Sequence, residues 1–240
     1  MPSLLVRARF WPGLAAVILT GSMLLPPAAG YARQYVFVQA LQFVIFAVAG
    51  PALLVLAIPW RTRPPWLPGT GRPAARAAIR LAAFIAVAVI WRLPVTVNAL
   101  ARHPALTAAE MITLLAAGMG IWAELVGIRP GPGQLPRPAR AAMAAAAMWT
   151  IWIFGYLTGM FGTSGFAAYH HGAPGGLGAA ADQQIAAAIL WAVPALCFLP
   201  VLYVTVVAWL GRDGSPAGNQ RPAASADAPG SWARPPRGWR

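Results

Sequence analysis

The sequence predicts an all-α fold, a polytopic transmembrane helical bundle of about six spans with both ends on the cytoplasmic side. Three observations predict it. The chain is 59% hydrophobic and 10% charged, whereas soluble domains carry about 25% charged residues. Apolar runs long enough to cross a bilayer recur, separated by short connections rich in proline, glycine and arginine. The arginines crowd into alternate connections, as they do in a protein oriented by positive charge on its inner side.

Residues 1–30 carry Arg7 and Arg9 ahead of the apolar run WPGLAAVILTGSMLLPPAAG. That pattern fits a first span and also a signal-like segment ending in small residues near positions 29–32; an uncleaved span is the favoured reading. Residues 34–60, QYVFVQALQFVIFAVAGPALLVLAIPW, hold no charge. At roughly 1.5 Å of rise per residue they are long enough for a bilayer core of about 30 Å. Gln39 and Gln42 lie three apart on one helix face. Pro51 is expected to free a carbonyl and bend the helix near its middle.

Residues 61–80 hold arginine, proline and glycine and read as a loop entering a helix. The next span is expected over residues 81–100, with Arg92 and Pro94 inside it, followed by a short connection at His103 and Pro104. Residues 105–128 form another span carrying Glu110 and Glu124. A helix from residue 141 contains Gly155-x-x-x-Gly159, a spacing that lets helices approach closely, and leads into a glycine-rich outer loop with His170 and His171. Asp182 is expected to cap the last span, residues 182–211, which Pro194 and Pro200 break. Residues 31–211 thus form one membrane helical domain, and residues 212–240 read as a disordered basic cytoplasmic tail.

With the N-terminus inside, fifteen of the eighteen basic residues, all of them arginine, fall in inner segments. Arg33 and Arg102 fall outside and Arg92 within a span. The net charge of +13 therefore orients a membrane protein rather than marking a nucleic-acid surface. Cys197 is the single cysteine, so there is no intramolecular disulfide and no cysteine-pair metal site.

This orientation gathers the uncommon polar residues at the outer leaflet: Gln39, Gln42, Arg92, Glu110, Asp182, Gln183 and Gln184. Ionisable groups inside a membrane cost about 2.5–3.5 kcal/mol on insertion scales, so they have partners. Arg92 and Glu110, on consecutive antiparallel spans, are expected to pair directly. Glu124 is expected to be solvated near the inner interface. His103, His170 and His171 are expected in loops facing water, the adjacent pair offering a weak metal-capture site with Glu110 as a further candidate ligand. Copper or zinc favours imidazole, with methionine adding affinity for Cu(I). Met111 and Met160 are expected to pack.

Four pieces of sequence in order resemble the CtaG-type cytochrome c oxidase assembly factors of bacteria. They are QALQFVIFAVAGPALLVLAIP, where Gln42, Ala49, Pro51, Leu53, Leu54, Leu56 and Pro59 match the family pattern; WRLP at residues 91–94; HPALTAAEM, with His103, Pro104, Leu106 and Glu110; and DQQIAAAILW, with Asp182, Gln183, Gln184 and Trp191. Gln39, Phe43, Arg92, Thr107 and Met111 stand where the family carries histidines. The resemblance implies a multi-pass protein of the bacterial plasma membrane that attends a haem-copper oxidase, with oxidase subunits and membrane lipid as partners, and copper delivery as its finer role. It implies no enzymatic activity. The rival class is a small-molecule or ion transporter using the outer polar groove, although no internal repeat is evident. A membrane redox enzyme is disfavoured, because haem ligands project from spans and these histidines lie in loops or turns.

Overall fold

The computed structural model describes residues 2–58, 72–126, 134–160, 166–170 and 176–213. The described residues are helical, with no strands among them. In order, α1 is Pro2–Ser22, α2 Pro26–Ala32, α3 Val36–Val44, a π-helical turn Ile45–Ala49, α4 Gly50–Ala57, α5 Pro73–Arg92, α6 Pro94–Arg102, α7 Ala105–Leu125, α8 Arg137–Met160, a 3-10 turn Ala167–Tyr169, and α9 Ala179–Asp213. Five of these helical stretches are long and apolar enough to cross a membrane, or six if α1 and α2, bent by 58° at their break, count as one span. The protein is a multi-pass membrane protein by this measure.

The stretch from α3 through α4 is the centre of the bundle. Its apolar window is 67% buried, against 22–44% for the other four spans. It reaches that position because it carries no charge and its two glutamines, Gln39 and Gln42, are buried against neighbours, whereas the other helices keep one face for lipid. α9 and α2 pack on α3, α1 packs on α4, and α7 packs on the π turn and α4. The fully buried side chains include Phe43, Phe46, Phe84, Leu114, Ile121, Ile151, Leu190 and Phe198. Trp122 of α7 stacks on Phe198 of α9, centroids 5.0 Å apart and planes 9° from parallel.

Three expectations are corrected, while Pro51 stays within one helical span. The chain absorbs it in the π turn just before, where the Gly50 N–H donates to the Ile45 carbonyl five residues back, a wide turn that accommodates a helix interruption. The span expected at 81–100 is Pro73–Arg92 instead. Pro94 disfavours helical geometry at Leu93, whose ψ of 139° ends α5, and Pro94 then opens the separate helix α6. Pro194 and Pro200 do not break α9, a continuous helix of 35 residues, because neighbouring helices and local adjustment let membrane helices keep internal prolines. α9 also runs on through Arg212 and Asp213, so the expected tail begins two residues late. Residues 214–240, Pro59, Trp60 and His171 lie outside the described residues.

The Gly155-x-x-x-Gly159 spacing does what it implied. α8 lies along α9 over these glycines. A Cβ at Gly155 would strike Trp191, and one at Gly159 would stand 3.3 Å from the Ala187 Cβ.

Candidate functional site

Because α5 ends at Leu93, Arg92 occupies its last turn and turns inward, only 6% exposed. Its Nη1 donates to the Gln39 Oε1 of α3 at 2.6 Å. Its Nη2 lies 3.4 Å from the Thr158 Oγ1 of α8. The guanidinium carbon stands over two aromatic rings, 5.4 Å from the Phe43 centroid and 5.6 Å from that of Phe166, within cation–π range. Nε is buried without a hydrogen-bond partner.

Gln39 also turns the other way. Its Nε2 donates to the Glu110 Oε1 of α7 at 3.2 Å, with Glu110 only 1% exposed. The direct ion pair expected between Arg92 and Glu110 is therefore replaced by a relay through one amide. A primary amide can do this because it carries an acceptor and a donor on one carbon. The relay joins α5, α3 and α7 and answers both charges without bringing them into contact.

The remaining members of the expected outer set divide. Asp182 does not cap its own helix. Its Oδ2 accepts the Val36 N–H at 2.8 Å and its Oδ1 the Phe37 N–H at 2.9 Å, so it caps α3 across 146 residues of sequence. α9 begins at Ala179, which leaves Asp182 in the first turn and free to serve α3. Gln183, 1% exposed, donates to the Thr158 carbonyl at 2.5 Å, next to Arg92. Gln184 is exposed and reaches the Gly159 carbonyl at 3.1 Å. Gln42, although on the face of Gln39, donates to the Met23 carbonyl at 2.6 Å, where the chain turns from α1 into α2.

A loop closes over the cluster. Phe166 and Tyr169 are buried, the Ala168 N–H donates to Asn98 Oδ1 at 2.8 Å, and the Tyr169 hydroxyl donates to the Ala32 carbonyl at 2.8 Å. Burial pushes the Tyr169 hydroxyl well above the usual phenol range, because an ionised phenolate would lose its water there. Sequence reasoning missed Thr158, Phe166, Asn98 and Tyr169. The one signal was Thr158, a hydroxyl inside the apolar run YLTGM.

At the other end of α7, Glu124 is not solvated but 6% exposed. It accepts Arg76 Nε at 2.6 Å and Arg80 Nη1 at 2.6 Å. Two arginines expected to mark a loop belong to α5 and hold it to α7. Glu110 and Glu124, fourteen positions apart on α7, hold it to different neighbours: Glu110 bonds Gln39 of α3 and Glu124 bonds Arg76 and Arg80 of α5.

The copper reading needs soft or imidazole donors converging on one point. Among the described residues no group of three or more histidine, cysteine, aspartate or glutamate side chains converges in that way. His103 and His170 are exposed, and Met160 is 62% exposed. Of the five positions where histidine was expected by resemblance, Phe43 offers a ring, Arg92 a cation, Gln39 an amide already engaged at both ends and Thr107 a hydroxyl, which leaves Met111 as a lone soft donor. This donor set does not fit copper.

No curated protein and no solved structure matched the chain. The description of one family, "cytochrome c oxidase caa3 assembly factor", matches residues 4–212. That range reaches every helix named above, from the first turn of α1 to the last turn of α9. The chain belongs to the cytochrome c oxidase caa3 assembly factor family.

Proposed function

We propose that this protein is an accessory factor for assembly of a haem-copper cytochrome c oxidase in the bacterial plasma membrane. It acts as a helical scaffold that binds oxidase subunits side by side in the bilayer. The family match across all the spans carries this reading. The arginine bias supports an orientation with both termini in the cytoplasm and the Arg92 cluster toward the outer surface. In that orientation an arginine close to anionic lipid of the inner leaflet contributes about 1 kcal/mol to membrane attachment.

Copper delivery is the finer role that the resemblance implies. The donors around Arg92 favour a version in which this chain steadies the oxidase while another component carries the metal. The transporter reading gains little from the cluster, since the polar groups of Arg92, Gln39 and Glu110 are bonded to one another. Deleting the gene and measuring assembled oxidase and its copper content tests the proposal. Assembled oxidase should fall and return on complementation; unchanged oxidase would leave the transporter reading ahead.

A further inference from the structure

The cluster at the ends of α3, α5 and α8 has the parts of a cation site. It offers two neutral oxygens, Gln39 Oε1 and Thr158 Oγ1, and two ring faces, Phe43 and Phe166. The Glu110 carboxylate lies one amide away, and burial excludes water from the guanidinium. The two oxygens and the two rings converge on Arg92.

We propose that the Arg92 guanidinium is the built-in cation of this site, filling permanently the place that a bound metal ion would otherwise take. The contacts match a guanidinium better than a metal. Ring faces attract a diffuse, weakly hydrated cation, and neither phenylalanine has a lone pair to give copper. A second cation entering beside Arg92 would meet repulsion in a site of low dielectric. Even the imperfection fits, because Nε makes no hydrogen bond; the site responds to the charge and the plane of the group, not to every N–H.

This inference concerns the same cluster as the assembly reading, and its tests use purified full-length protein in detergent, so the two fail separately. Copper is titrated first, as Cu(I) and Cu(II) against a competing chelator. Any copper bound should disappear when His103, His170 and His171 are all changed to alanine. One equivalent retained in that variant, and released by Gln39→Ala or Met111→Ala, overturns the proposal.

The second test is chemical rescue. Arg92→Ala should melt below the parent protein, and millimolar methylguanidinium should raise the melting temperature of the variant but not of the parent. Equal response of the two to methylguanidinium overturns the proposal. If Arg92→Ala does not fold, Arg92→Lys and Arg92→Met replace it. The lysine variant should keep more of the parent's stability, because an ammonium still fills the place; equal loss in both refutes a role for the charge.

Discussion

Asp182 caps a helix that begins 146 residues before it, taking the Val36 N–H at 2.8 Å. The first N–H groups of any helix lack partners within the helix, and in a membrane protein a bare donor at a buried end is costly. α3 supplies no capping side chain of its own, since Tyr35 stands at its N-cap position. A carboxylate from α9 satisfies two of these donors and also favours the positive end of the α3 dipole. Asp182→Ala should cost about 1–2 kcal/mol, the upper part of the range for a lost cap, and Asp182→Asn less. Thermal unfolding in detergent measures it. A variant melting with the parent would show the cap to be ornamental.

The amide relay makes a different prediction. Arg92 and Glu110 do not touch; Gln39 stands between them. An amide can rotate to exchange its donor and acceptor ends. The doubly reversed protein, Arg92→Glu with Glu110→Arg, should therefore recover much of the stability lost in each single variant. The same reversal in a Gln39→Leu background should recover none. Interhelical hydrogen bonds in membranes average about 0.6 kcal/mol, but removing the partner of a buried charge costs about 3–5 kcal/mol. The second figure decides here, so Gln39→Leu alone should cost about 3 kcal/mol. Recovery in the leucine background would mean that the charges find each other directly.

Much of this was legible beforehand, and the reasons are physical. The spans could be read because lipid leaves only long apolar helices as solutions. That Arg92, Gln39 and Glu110 meet was readable from depth alone, since each sits a similar distance from the outer ends. Which atoms touch was not. Depth says nothing of rotation about the helix axis, so the linear order could not show Gln39 between the charges or Gln42 turned toward Met23. Asp182 was recognised as a cap but assigned to its own helix, because sequence shows only the neighbouring backbone. Arg76 and Arg80 were hidden in an arginine-rich stretch that composition marks as a loop, although Pro73 opens a helix there.

Glu124 anchors the opposite end of α5 and α7. One carboxylate takes Arg76 and Arg80, each about one-fifth exposed. Breaking a fully buried pair costs about 3–5 kcal/mol, and partial exposure of both arginines reduces that to about 2 kcal/mol by allowing water to reach them. Glu124→Ala should therefore be milder than Gln39→Leu, and high salt should narrow its difference from the parent. Double-mutant cycles with Arg76→Ala and Arg80→Ala should each show coupling. If both cycles are additive, the contacts contribute nothing to stability.

Close approach of α7 to the π turn depends on Gly118. A Cβ there would lie 2.6 Å from Pro51 Cγ and closer still to the Ala47 carbonyl oxygen. Neither neighbour can yield easily, since one is a ring closed on the backbone and the other is backbone itself. Gly118→Ala should destabilise by about 1–3 kcal/mol, the range for overpacking a tight core. Gly21 is the control. It also lies in a helix, but a Cβ there would meet nothing within 4 Å. Gly21→Ala should be neutral or stabilise by up to about 1 kcal/mol through helix propensity. Thermal melts of the two variants in one detergent compare them directly, and equal behaviour would mean that α7 can move away from the π turn at no cost.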